Sequence, residues 1–197
     1  MSVVTWVVLA VLAVVLFWAV GAYNRLMRLK NQVANAFGQI DVQLKRRYDL
    51  IPNLVEVARK YLAHEAQTLE AVIAARNQAS RAEQTAAANP LSGAALGALA
   101  GAEGLLGGAL GRLFAVAEDY PELKADATMR ELSEELTHTE NRVGFARQAY
   151  NDQILAYNDA ALHFPTIIVA RLLGFTPLTM LESTTSEVER LAPKVEF

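Results

Sequence analysis

From Leu26 onward, apolar residues recur at steps of three and four (Leu26, Leu29, Val33, Ala36, Ile40, Leu44), the spacing of one stripe along a helix. The stripe follows directly on Val3 to Ala22, a run without charge and rich in Val, Leu and Ala. About 20 residues at ~1.5 Å rise span a ~30 Å hydrocarbon layer. The pattern predicts one rod that leaves a lipid-embedded anchor and runs into water, where its stripe requires partner helices. A cleaved signal peptide is the rival reading, with Val20-Gly21-Ala22 as a weak cleavage site. Only Met1 and Ser2 precede the apolar run, so the usual basic start is missing and the segment reads as an anchor.

Pro52 lacks a backbone N–H and pushes Ile51 away from helical angles. The first helix is therefore expected to end near Tyr48 and bend at Ile51-Pro52, with Asp49 capping a second helix over 52–81. Between Ala79 and Gly111 the composition shifts to Ala, Gly and Leu, with turn signals at Asn89-Pro90 and Ser92-Gly93. A third helix covers Leu105 to Glu118 and draws in part of 94–104. A fourth covers 127–163, with a seam of Leu132, Leu136, Thr139, Val143, Ala146, Tyr150, Gln153, Tyr157 and Phe164. The fold class is all-α: an N-terminal transmembrane helix continuing into an antiparallel bundle of about four long helices. The expected organisation is an anchor at 1–22, a bundle at 23–175 with a Gly/Ala-rich connection at 79–111, and a loosely packed tail at 176–197.

Helices of about 28 and 30 residues, ~42 and ~45 Å long, would carry the chain out and back to the bilayer. The Gly/Ala connection would then reach the membrane face, and so would the end of the fourth helix. That makes Leu105, Leu106, Ile167, Ile168, Leu172, Leu173 and Phe175 candidates for contact with lipid or a neighbouring subunit.

Charge narrows the partners. A net charge of −3 argues against nucleic acid, which needs a surface rich in Lys and Arg. The absence of cysteine removes disulfides, thiolate metal sites and a thiol nucleophile. Arg25, Arg28 and Lys30, then Lys45, Arg46 and Arg47, all follow the apolar run. The positive-inside bias then favours an outer N-terminus and a cytoplasmic bundle in the bacterial inner membrane, crossed once.

Three long motifs stand out: QIDVQLKRRYDLIPNLVE at 39–56, LFAVAEDYPELKAD at 113–126, and ELTHTENRVGFARQAYNDQILAYN at 135–158. With the later FP and LLGFTP, they resemble the LemA family of bacterial membrane-anchored helical proteins. The resemblance covers nearly everything outside 79–111, and implies an N-terminal transmembrane helix followed by a helical bundle. It marks Asp41, Lys45, Arg46, Arg47, Asp49, Pro52, Asn53, Glu140, Asn141, Arg147 and Asn151 as family-motif positions without assigning them a role. It also links the chain to envelope maintenance, membrane proteases and, in a specialised branch, membrane organelles.

The chemistry on offer is thin. Glu135-x-x-His138 is half of a di-iron bundle motif, but Tyr61 precedes His64 and Ala160 precedes His163 where the second half needs a Glu. Glu65, Arg76, Glu140, Arg147 and Asn151 lie near the seams and read as register-fixing pairs. Lys45-Arg46-Arg47 reads as cations on the negative end of the first helix, or as a docking patch for an acidic protein. Tyr61, Phe145, Tyr150 and Tyr157 read as core aromatics.

The sequence thus predicts a non-catalytic, membrane-tethered scaffold or adaptor that binds lipid, associates with itself and contacts a membrane protein such as a protease, with no cofactor. The alternatives are a membrane-remodelling protein using its apolar segments as wedges and, last, a metal-dependent enzyme.

Overall fold

The computed structural model describes residues 2–181. Among them lie six helices and no strand: α1 (Val3–Arg59), α2 (Ala66–Ala88), α3 (Gly93–Ala117), α4 (Pro121–Ala125), α5 (Ala127–Leu162) and α6 (Thr166–Leu172). The 57-residue α1 is a single rod. Its first stretch is exposed at every turn, with the flanks of Val14 and Phe17 bare. Beyond it, Leu26, Val33, Ile40 and Leu44 are buried, as the stripe predicts, Leu29 and Ala36 are half-buried, and Phe37 is buried beside them.

The expected bend at Ile51-Pro52 does not occur. Pro52 sits inside α1, and the chain reverses only at Lys60–Glu65. A proline in mid-helix leaves the carbonyl four residues earlier without its donor. That carbonyl is Tyr48 O, and Arg76 Nε of α2 donates to it at 3.0 Å. A side chain thus replaces the missing N–H. Asp49 accordingly caps nothing: it lies in mid-helix with its side chain 82% exposed.

This later reversal shortens the return. The part of α1 beyond Ala22 is ~55 Å long, whereas the 23-residue α2 covers only ~35 Å. The α2–α3 turn therefore stops ~20 Å short of the apolar segment. Its level is fixed by Tyr150, whose hydroxyl donates to Pro90 O at 2.6 Å and whose ring meets Phe37 edge-on at 5.8 Å. The glycine-rich stretch is helical from Gly93 onward, its start capped by Ser92, which accepts from Ala95 N. Leu106 is fully buried and Leu105 is 58% exposed. Both sit within one turn of Glu103, which is level with Arg47, so neither reaches the end of the bundle where the apolar run stops.

α5 lies antiparallel to α1, pairing Arg46 with Glu135 and Phe37 with Tyr150. It returns all the way. The Phe175 ring, just past α6, stands edge-on to Tyr23 at 5.7 Å, where α1 emerges from its apolar run. Along the predicted seam, Leu136, Thr139, Tyr150 and Tyr157 are buried and Val143 and Ala146 half-buried. Phe164 lies beyond the helix end, 81% exposed. Phe145, expected in the core, points outward at 73% exposure. At the far pole Tyr61 donates to Asp126, which also caps α5 through Met129 N.

The tail is not loose where it is described. Residues 176–181 run back along α5, held by side-chain amides; residues 182–197 lie outside the described residues.

Replacing Arg76 by Met is expected to destabilise the protein by about 1 kcal/mol, the worth of a half-exposed charged hydrogen bond. Pro52→Ala restores an intrahelical donor for Tyr48 O, so the same replacement in that background should cost much less. Chemical denaturation of the four proteins of this cycle reads the coupling directly; strictly additive costs would refute the substitution.

Candidate functional site at the Arg47 cleft

Consecutive residues of a helix project about 100° apart, so three in a row can reach three neighbours. Lys45, Arg46 and Arg47 do this. Lys45 Nζ lies 3.8 Å from Glu83 of α2 and 2.8 Å from Asp41 of its own helix. Arg46 Nη2 lies 2.6 Å from Glu135 of α5. Arg47 Nη1 donates to Glu103 Oε2 of α3 at 2.7 Å, and its Nη2 lies 3.9 Å from Glu140 of α5. The helix-dipole reading of these cations fails, because α1 runs on to Arg59 and has no C-terminus here.

The Arg47–Glu103 pair is buried, with side chains 7% and 9% exposed. Two charges removed from water recover that cost only with close geometry and filled hydrogen-bond sites. Both conditions hold: Tyr48 donates its hydroxyl to Glu103 Oε1 while Arg47 takes Oε2. Burial, together with the Glu103 carboxylate, holds the Tyr48 hydroxyl far above the ordinary phenol range, so it remains a donor.

The second cluster is different. Glu83 is 1% exposed, and burial, with the hydrogen bond and charge of Asp41, pushes its carboxyl up to about 7. Burial also pushes Asp41 upward, but hydrogen bonds from Glu83 and Lys45 outweigh it, so its carboxyl sits below the usual range. Asp41 Oδ1 and Glu83 Oε1 are buried and otherwise without hydrogen-bond partners. One proton shared between the carboxyls relieves both.

Beside these pairs α1, α3 and α5 enclose a cleft. Ile40 and Leu44 form its floor, Leu99 and Val143 its walls, and Leu181 one end. Arg47, Glu103, Glu140 and Arg147 ring it. Four of the eleven family-motif positions thus converge, because Asn151 holds Leu181 in place: its amide donates to Leu181 O at 3.0 Å and accepts from Leu181 N at 2.9 Å. Asn158 does the same for Leu178, at 2.9 and 2.8 Å. Seven helical residues and three extended ones both advance about 10 Å, so the two amides read an extended strand in register. Tyr157 adds a bond to Thr176 O at 3.0 Å. Gly93 allows close approach, since a Cβ there would lie 3.3 Å from Thr179 Oγ1.

The remaining motif positions stand apart. Pro52, Asn53 and Asn141 are exposed, and Asp49 lies 3.9 Å from Arg76. Glu135 is spent on Arg46, and His138 is exposed, so the Glu-x-x-His pair does not gather ligands. Among the described residues no three His, Asp or Glu side chains converge as a metal site would require. The charges around the cleft are turned on one another, a chemistry of packing and recognition. Sequence reasoning overlooked Glu83, Glu103, Tyr48 and Asn158. Glu103 left a signal: it is the only charge between Asn89 and Arg112, in an apolar stretch, and such a group needs a buried cation.

Residues 36–197 match the model of the LemA family. The chain is similar to the magnetosome proteins MamQ 1 and MamQ 2 of Paramagnetospirillum magneticum, 30% identical to each over 190 residues, 85% of this chain and 68% of the relative. It is also 27% identical to the protein LemA of Metamycoplasma hominis over 175 residues, 89% of this chain and 74% of that one.

Two outcomes test the electrostatics. Glu103→Gln leaves Arg47 buried without its anion and should cost about 3 kcal/mol, while Arg47→Met with Glu103→Met recovers most of it, in denaturant titrations. Glu83 binds its proton in the folded state up to a pH of about 7, against 4.5 for a free carboxyl. Its contribution is therefore full below the lower value and lost as pH rises through the upper. The melting temperature should fall between pH 5 and 8 relative to Glu83→Gln; parallel curves would exclude the shared proton.

Proposed function

The chain belongs to the LemA family, and from that premise we propose that it is a non-catalytic scaffold tethered to the bacterial cytoplasmic membrane. The observation that carries this reading is the continuity of α1. Its N-terminal window has a mean hydropathy of 2.8 with none of it buried, and the same helix supplies the spine of the bundle. Anchor and bundle therefore move as one body, as a support for other proteins requires. The ring of mutual ion pairs suits a rigid support better than a reacting centre. Two relatives are named as magnetosome proteins, and neither name denotes an enzyme.

In this reading α1 crosses the membrane once, with its N-terminus outside and the bundle in the cytoplasm, where Arg25, Arg28 and Lys30 follow the positive-inside bias. The scaffold associates with itself and with a membrane partner, for which a protease is one candidate, in envelope maintenance. Leu105 and Phe145, 58% and 73% exposed on the sides of the bundle, are apolar side chains that a second copy would cover.

The chain has no cysteine, so single-cysteine variants report cleanly. Phe145→Cys should react with a membrane-impermeant maleimide only after the cytoplasmic membrane is opened; labelling of intact spheroplasts would reverse the orientation. A short bis-maleimide should give dimers through Leu105→Cys or Phe145→Cys in membranes. Monomers alone, at both positions, would count against self-association.

A further inference from the structure

At the end of the bundle where α1 leaves its apolar run, a second apolar surface is bare. Phe164 is 81% exposed, Leu172 78%, Leu173 56% and Ile168 50%. They belong to α6 and the residues flanking it, and α6 is turned so that Val169 and Ala170 face the bundle while these side chains face away. The position of α6 is fixed from two directions. Phe175 packs edge-on against Tyr23 at 5.7 Å, and Lys30 Nζ stands 6.0 Å from the centre of the same ring. The exposed apolar side chains therefore sit within about one or two helical turns of the level at which α1's uncharged segment ends.

A helix apolar on both sides needs cover on both sides. The bundle covers one. For the other, three exposed cations identify the occupant: Arg25 and Arg28 on α1 and Arg171 on α6, each within about five residues of the Tyr23–Phe175 contact. Apolar side chains rimmed by guanidinium groups match the layered chemistry of a bilayer surface, acyl chains below and phosphates above. The patch also stands at the same end of the bundle as the bare apolar face of α1, whose occupant in the proposed tether is lipid.

We propose that α6 is a foot: it lies along an anionic bilayer surface with Phe164, Ile168 and Leu172 among the upper acyl chains and Arg25, Arg28 and Arg171 on the phosphates. The inference rests on the tether. Its consequence is orientation. A lone crossing helix can tilt freely, but a second contact beside it holds the bundle at one angle to the membrane.

The full chain carrying one nitroxide-labelled cysteine, in vesicles of phosphatidylcholine with about one third phosphatidylglycerol, tests it. Phe164→Cys and Leu172→Cys probe the foot, Val14→Cys the span, and Glu56→Cys the exposed far end of α1. Relative accessibility to oxygen over an aqueous nickel complex should be about tenfold higher at 164 and 172 than at 56, and comparable in sign to position 14. In pure phosphatidylcholine, which keeps its phosphates but has no net charge, it should drop about twofold at 164 and 172; no drop overturns the attraction to an anionic surface. Water-like values at 164 and 172 with lipid-like values at 14 overturn the foot and leave the tether standing. Protection from both reagents means a protein neighbour and also overturns it. Water-like values at 14 overturn tether and foot together.

Discussion

Three consecutive cations hold this bundle together. Lys45, Arg46 and Arg47 fan out from the middle of α1 to carboxylates on α2, α5 and α3. An apolar stripe alone tells neighbouring helices which face to cover and leaves their sliding free; a side chain that must meet one carboxylate fixes height as well as face. Of the three, only Arg47 is fully enclosed, and it is the one with two hydrogen-bonded anchors in line, Glu103 and, through it, Tyr48. Lys45 and Arg46 are more than half exposed, where solvent screens a pair heavily, so they guide register more than they add stability.

The long apolar N-terminal helix, the stripe and the return of α5 to the end where that apolar run stops were legible because each depends on local composition or on one helix's periodicity. The course of α1 beyond Tyr48 was not. A proline is a strong local signal, and what overrides it is Arg76, on another helix and 28 residues along the chain from the Tyr48 carbonyl it satisfies. A counter-signal was present in the sequence all the same. The buried positions Ile40, Leu44, Tyr48, Ile51, Leu54 and Ala58 keep stepping by three and four straight through Pro52, and a true bend would have broken that phase. Periodicity deserved more weight than the proline.

The candidate site was legible in pieces. Resemblance picked out Arg47, Glu140, Arg147 and Asn151, but it could not say that they meet, since α1 and α5 are joined only through two intervening hairpins. Glu103, the partner of Arg47, and Glu83, the partner of Lys45, sit in alanine-rich stretches between the motifs. Asn158 looks like any helical asparagine until the strand it reads is in view. A weakly alternating, proline-flanked run such as 176–181 gives no sign by itself that a helix has been spaced to receive it.

The length mismatch between α1 and α2 explains why that strand is needed. With the α2–α3 turn halted at the level of Phe37 and Tyr150, among the described long helices only α1 and α5 continue toward the apolar N-terminal segment, and two helices cannot cover each other on all sides. Yet Leu26 and Val33 of α1, and Ile154 and Tyr157 of α5, are buried in this lower part. Their cover comes from α6 and from 174–181, folded back beneath the hairpin so that Thr179 meets Gly93 at the start of α3. A bare strand beside a helix would leave its backbone polar groups unpaired. The amides of Asn151 and Asn158 pair them, two groups each, at the one spacing where helix and strand keep step. The stalk is thus completed by residues 174–181 of the same chain, and its stiffness depends on two asparagines as much as on any apolar contact.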